Sequence, residues 1–247
     1  MFSVGVLRSP STATWLFIGS GLVTISLALL RQAQLAQMPS LAVSFGLFGL
    51  IVTVITLGVR RNGINVFGIA NAITLMRAVL VSVLAGLACE SLLAPGADGA
   101  LLLLVLLIAI AALATDALDG WAARHSGTSS RFGARFDMEM DALLILILAI
   151  LAWSFGQAGA WIIGAGLIYY LFRAAGWLWP VLAAPLPPSL RRKVVCVVQT
   201  VGLMVVLVVD PWLGHMVAAA ALLALVLSFA IDIVWLVRHR PMQAMAP

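Results

Sequence analysis

The sequence predicts an all-α membrane protein, a polytopic bundle of about eight transmembrane helices. Three observations carry this expectation. Of 247 residues, 64% are hydrophobic and only 9% charged, with a mean hydropathy of +1.16, well outside the soluble range. Apolar runs able to cross a bilayer recur along most of the chain. Basic residues gather at alternate ends of those runs, as membrane topology demands.

The apolar runs fall at about residues 12–30, 40–58, 73–89, 100–116, 138–154, 158–176, 194–209 and 214–236, several of them shorter than the roughly 20 residues of an ideal span. The short runs abut polar residues, so their helices are expected to extend past the apolar stretch. The first run is followed by further spans and reads as a membrane helix, not a cleaved signal peptide. Between the second and third runs lies Arg60-Arg61-Asn62-Gly63-Ile64-Asn65-Val66-Phe67-Gly68, suited to the membrane interface. It divides the chain into a two-helix extension (1–62), a six-helix membrane domain (63–240) and a short tail (241–247).

With the amino terminus in the cytoplasm, the cytoplasmic helix ends hold Arg8, Arg60, Arg61, Arg77, Arg124, Arg131, Arg135, Arg173, Arg191, Arg192, Lys193, Arg238 and Arg240. Of the 14 basic residues, only Arg31 falls outside. The positive-inside bias therefore places both termini on the cytoplasmic side. Glu90, Asp98 and Asp210 fall on the far side, and a bacterial inner (plasma) membrane is the natural setting. The net charge of +5 is spread over helix ends and does not argue for nucleic acid. Cys89 and Cys196 lie in apolar surroundings and read as small buried hydrophobes, not as a disulfide or a thiolate metal site.

Five of the nine acidic residues fall within residues 116–141. Asp116 and Asp119 are three apart at the end of one run; Asp137 and Asp141 are four apart at the start of the next. Both spacings put side chains on one helical face. Antiparallel packing would gather four carboxylates at the cytoplasmic edge, where they repel unless something positive is held among them. Two divalent metals with a phosphate-bearing substrate across them answer that need. Arg124 supplies a donor fork for phosphate. Gly120 and Ala123 keep the helix wall low beside a bound nucleotide, and Gly133 permits a close approach or turn of the second helix. An ordinary polar loop explains Ser129, Ser130 and Arg131 but not carboxylates in helical register on both sides of it. A carboxylate-lined cation path, as in a transporter, is the other alternative. Glu139, two residues from Asp137, leaves the shared face.

This run resembles the signature of the CDP-alcohol phosphatidyltransferase family, D-G-x2-A-R-x8-G-x3-D-x3-D with a further Asp three residues before the D-G. Asp116, Asp119, Gly120, Ala123, Arg124, Gly133, Asp137 and Asp141 match every fixed position and gap. The similarity covers about residues 65–237 and implies the family's six-helix body, with the first two helices outside it. It implies transfer of a substituted phosphate from a CDP-linked donor to an alcohol, with release of CMP. By the same resemblance, Asp116, Asp119 and Asp137 hold two divalent ions, Mg²⁺ or Mn²⁺. Asp141 completes the metal site and serves as base for the acceptor hydroxyl, Gly120, Ala123 and Arg124 contact the CDP part, and the protein is a homodimer.

Upstream, Asn71-Ala72-Ile73-Thr74-Leu75-Met76-Arg77 resembles the family's Pro-Asn-x-Ile-Thr-x-x-Arg opening, with Ala70 in place of Pro. Asn71 is suited to cap the helix, and Asn71, Thr74 and Arg77 could face the substrate phosphates. Arg173, Arg191, Arg192 and Lys193, expected on the same side as the carboxylates, suit either topological anchoring or a phosphate on the acceptor or lipid donor. Asp232, inside the last span, calls for an arginine from another helix or Arg238. A site at the membrane edge suits CDP-diacylglycerol and a small polar acceptor from the cytoplasm, glycerol 3-phosphate first among them. Phosphatidylglycerophosphate synthases usually read Leu-Asp-Pro-x-x-Asp-Lys where this chain reads Phe136-Asp137-Met138-Glu139-Met140-Asp141-Ala142. Serine, inositol phosphate, phosphatidylglycerol, and diacylglycerol with a CDP-choline or CDP-ethanolamine donor are the other acceptors this chemistry admits.

Overall fold

The structure, a computed structural model, describes residues 12–61, 69–94, 99–126, 131–187 and 189–239. Among them are eight α-helices: α1 (Thr12–Gln32), α2 (Met38–Arg61), α3 (Ile69–Leu93), α4 (Gly99–Ser126), α5 (Arg131–Ser154), α6 (Gly164–Leu178), α7 (Leu190–Val206) and α8 (Pro211–Arg238). Six of the eight are long and apolar enough to cross a membrane. The exceptions are α5, whose first turns carry Arg131, Arg135, Asp137, Glu139 and Asp141, and α7, which has 17 residues and opens on Arg191, Arg192 and Lys193. The protein is an integral membrane helical protein, as composition requires.

Two compact units divide the chain, Met1–Met140 and Asp141–Pro247, with the division inside the unbroken helix α5. In the first unit α3 is the central element, 78% of its span buried. Helices α1, α2 and α4 pack against it. Gly86 is one reason α2 can come so close: a Cβ there would lie 2.1 Å from Ser44 Oγ and 2.7 Å from the Ser40 carbonyl oxygen. Such close backbone approach is how membrane helices gain packing contact when lipid gives no hydrophobic drive between them. One turn further along α3, Glu90 Oε2 accepts the Gln37 backbone N–H at 2.8 Å and the Ser40 hydroxyl at 2.5 Å. The expected far-side carboxylate is thus buried against the start of α2. Hydroxyls elsewhere on these helices donate to the carbonyl one turn back, among them Ser20, Thr24, Thr53, Thr56 and Ser82, which satisfies them without water.

In the second unit α7 packs on α8, while α6 meets α8 and two short 3-10 turns, Ala160–Ile163 and Pro180–Ala183. Gly166 of α6 sits where a Cβ would come within 2.3 Å of the Leu146 Cα, so only glycine allows that contact. The Asp210 carboxylate caps α8 by accepting the Leu213 N–H, with Pro211 at the first helical position, the usual residue pair for a helix start. The buried residues of α8, Gly214, Ala218, Ala221, Leu225, Ser228, Asp232 and Leu236, recur at three- and four-residue steps and form one stripe.

Helix extents differ from the apolar runs mainly at polar ends. Helix α4 continues to Ser126 and α7 begins at Leu190, because backbone hydrogen bonding carries a helix into interfacial sequence that hydropathy does not register. Helix α3 begins at Ile69, which puts Asn71 inside its first turn instead of at the cap position. Both cysteines are free and only half-buried, so neither is the fully buried filler expected of it.

Candidate active site

Three helices build the site. Helix α3 brings Arg77, one turn after the buried Thr74. Helix α4 brings Asp116, and α5 brings Asp137 and, one turn on, Asp141. The Arg77 side chain is fully buried, while those of Asp116 and Asp137 are 30% and 36% exposed. One guanidinium nitrogen, Arg77 Nη1, lies 3.0 Å from Asp116 Oδ1 and 2.8 Å from Asp137 Oδ1. A buried cation thus sits beneath two carboxylates from different helices and ties them together. A guanidinium stays protonated at any accessible pH, so its burial demands such partners.

Asp141 follows Asp137 on the same continuous helix, and Asp116, Asp137 and Asp141 each offer a carboxylate oxygen within 4.8 Å of the others. All three are half-buried. An all-carboxylate donor set suits a hard divalent cation such as Mg²⁺ or Mn²⁺ and disfavours soft, thiolate-seeking metals. The residues present therefore fit the metals expected from sequence.

The backbones of Asp119, Gly120, Ala123 and Arg124 belong to α4, in its last two turns. Their side chains, and that of Asn71 on α3, lie outside the described residues. Gly133 occupies the first turn of α5.

The basic residues expected near phosphate separate into groups. Arg191 donates to the Ser228 carbonyl and hydroxyl and to Asp232 Oδ1, each at 2.5 Å. Arg192 donates to the same Asp232 oxygen at 3.1 Å and to the Pro187 carbonyl. Asp232 thus takes its partners from α7, the first of the two options its position in the last span allowed. Lys193 is exposed. Arg173 is exposed as well, 3.4 Å from the Tyr169 hydroxyl, with its guanidinium 6.0 Å from the Tyr169 ring centre.

Helix α7 joins this basic cluster to the acidic one. The Cys196 thiol, four residues after Arg192 and so on the same helical face, lies 3.8 Å from Asp141 Oδ2. That contact was not legible in sequence, because a lone cysteine in apolar sequence carries no pairing signal. Gln199, three residues further, is 1% exposed with neither amide atom hydrogen-bonded among the described residues. A glutamine within an apolar run was a usable signal there. The tryptophans meant for an aromatic belt are outward-facing, with Trp177, Trp179 and Trp212 among the most exposed large side chains.

Comparison with known proteins agrees with the geometry. The sequence model described as CDP-alcohol phosphatidyltransferase matches residues 67–233, well over half the chain and every site residue named above. Helices α1 and α2 precede the matched region. No solved structure matches the chain.

Proposed function

Because this chain belongs to the CDP-alcohol phosphatidyltransferase family, transferases of substituted phosphate groups in phospholipid synthesis, we propose that it transfers a phosphatidyl group from CDP-diacylglycerol to a small polar alcohol and releases CMP. The observation that carries this reading is the cluster of Asp116, Asp137 and Asp141 oxygens within 4.8 Å of one another, one helical turn from the Asp119-Gly120-x-x-Ala123-Arg124 segment.

Asp116, Asp119, Asp137 and Asp141 would hold two divalent ions, Mg²⁺ or Mn²⁺, which when bound offset charge on the pyrophosphate and favour CMP as leaving group. Arg124 binds phosphate oxygens through its planar fork. Gly120 and Ala123 leave room for the cytidine part, and Asn71 and Thr74 contact the phosphates from α3. Asp141 takes the acceptor's hydroxyl proton as the acceptor oxygen attacks the phosphorus bearing the lipid alcohol. The phosphorus–oxygen bond to CMP breaks, and the new phosphate ester forms. Transfer is direct: Cys196 has no neighbouring base other than a carboxylate engaged elsewhere, so it lacks the support a nucleophile needs.

Glycerol 3-phosphate is the proposed acceptor. Two guanidiniums facing one carboxylate leave Arg191, Arg192 and Asp232 with a surplus positive charge, and exposed Lys193 adds to it. These residues stand about 6–8 Å along the α7 axis from Cys196, at 1.5 Å per residue, and hence near the proposed base. A second reading has a specific observation in its favour. Asp232 already occupies both arginines, which suits an acceptor without a phosphate, such as serine. Inositol phosphate, phosphatidylglycerol and diacylglycerol with a CDP-aminoalcohol belong to the same chemistry. The active site is proposed to face the cytoplasm of a bacterial inner membrane, on the positive-inside argument, and the working unit is proposed to be a homodimer.

The test is a screen of purified protein with CDP-diacylglycerol and Mg²⁺ or Mn²⁺ against these alcohols, following CMP and the lipid product. Glycerol 3-phosphate is expected to give the fastest CMP release. If it gives no more than buffer while serine does, the acceptor assignment is wrong and the family chemistry stands.

A further inference from the structure

We propose that Arg77 is a positioning residue that acts as a built-in countercation, holding Asp116 and Asp137 in place before metal binds and making tight metal binding depend on the anionic CDP donor. This rests on the reading that the carboxylate cluster holds divalent metals.

The geometry is specific. Arg77 Nη1 is shared between Asp116 Oδ1 at 3.0 Å and Asp137 Oδ1 at 2.8 Å. The guanidinium has no exposed surface, while both carboxylates keep about a third of theirs. The cation therefore approaches the carboxylates from the protein side, leaving their outer side open to ligands. A single shared donor sets the separation of two acidic groups on different helices, which without it would repel. Arg77 cannot relieve its burial by losing a proton.

A metal bound to those carboxylates would bring like charge close to Arg77. Charge counting gives the consequence. Four aspartates carry four negative charges, two divalent ions cancel them, and Arg77 leaves one positive charge over. A pyrophosphate supplies the anion that this surplus requires. Arg77 therefore stabilises the metal-free site more than the metal-loaded site, and by linkage it weakens metal affinity when no nucleotide is present. The same surplus draws metal and CDP donor into cooperative binding. A residue that merely filled space or held α3 in place would have no reason to oppose metal binding, so the sign of the effect separates the two roles.

The experiment measures Mn²⁺ affinity of the purified full-length protein by loss of the free-ion electron paramagnetic resonance signal, with and without CDP. Arg77→Gln removes the charge and keeps a hydrogen-bonding side chain of similar reach. Its Mn²⁺ affinity without CDP is expected to rise by about tenfold, a coupling of ordinary size, and the gain in affinity on adding CDP is expected to shrink. The unfolding temperature of the metal-free variant should drop, with Mn²⁺ restoring most of the loss. Unchanged or weaker Mn²⁺ binding by Arg77→Gln, with the wild-type response to CDP, overturns the proposal. Arg77→Lys keeps a charge but cannot present a planar fork to both carboxylates; a rise of about twofold to threefold is expected of this partial loss of coupling. It carries the test if the neutral variant cannot be purified, and wild-type affinity in it then overturns the proposal. Asp137→Asn serves as the control for the underlying reading. If it binds Mn²⁺ as tightly as wild type, the cluster is not the metal site, whatever Arg77 does.

Discussion

The Cys196 thiol lies 3.8 Å from Asp141 Oδ2, so α7 reaches the carboxylate proposed to take the acceptor's proton. Because Cys196 is half-buried, a small thiol reagent can reach it. A methanethiosulfonate adduct there is expected to block turnover, with acceptor and metal slowing the modification. Cys196→Ala should keep activity within about threefold, since a thiol is only a weak hydrogen-bond donor, and should resist the reagent. Inactivation of Cys196→Ala at the wild-type rate would remove Cys196 from the site.

The contact between α2 and α3 depends on Gly86. A methyl group there meets the Ser40 carbonyl oxygen at 2.7 Å as well as the Ser44 hydroxyl, and a backbone carbonyl cannot rotate away. Gly86→Ala is expected to lower stability by about 1–3 kcal/mol, the usual cost of overpacking. Thermal unfolding in detergent measures this, and an unchanged midpoint would show that α2 is not held at this point.

Arg191 and Arg192 share Asp232. If they also bind the acceptor's phosphate, Arg191→Ala should raise the KM for glycerol 3-phosphate by about tenfold or more, the worth of one charge-assisted hydrogen bond. The value of kcat should change less, because ground-state and transition-state binding are lost together. A fall in kcat with unchanged KM would instead assign the cluster to folding or to the chemical step.

Orientation is open to labelling. In a background with Cys89 and Cys196 replaced, single cysteines introduced within residues 125–130 should resist an impermeant maleimide added to intact cells, and those within 91–98 should react. The reverse pattern contradicts the positive-inside argument.

Much of this was legible in the sequence. Long apolar runs and their charged ends revealed eight helices, and the spacing of Asp116, Asp119, Asp137 and Asp141 revealed the candidate site. Asp232 announced a partner because a lone acid in a membrane span needs one. What stayed hidden depends on which helices meet. Arg77 is 60 residues from Asp137, and nothing local says that it ties two carboxylates together instead of reaching outward for phosphate. The Glu90–Ser40 contact spans 50 residues, so an expected far-side carboxylate was in fact a buried anchor for α2. Cys196 looked inert for the same reason: its neighbour is 55 positions away.

The central claim is metal-dependent phosphatidyl transfer at the aspartate cluster. Its most direct test follows CMP release from CDP-diacylglycerol by purified wild type, Asp119→Asn and Asp137→Asn, after chelation and after restoring Mg²⁺ or Mn²⁺. The wild type should release CMP only with metal and an acceptor alcohol both present. Each variant should lose at least about 10³-fold in rate, since a metal contributes several kcal/mol of transition-state stabilisation. Near-normal metal-dependent release by both variants, or solute flux with no CMP released by the wild type, would contradict the account.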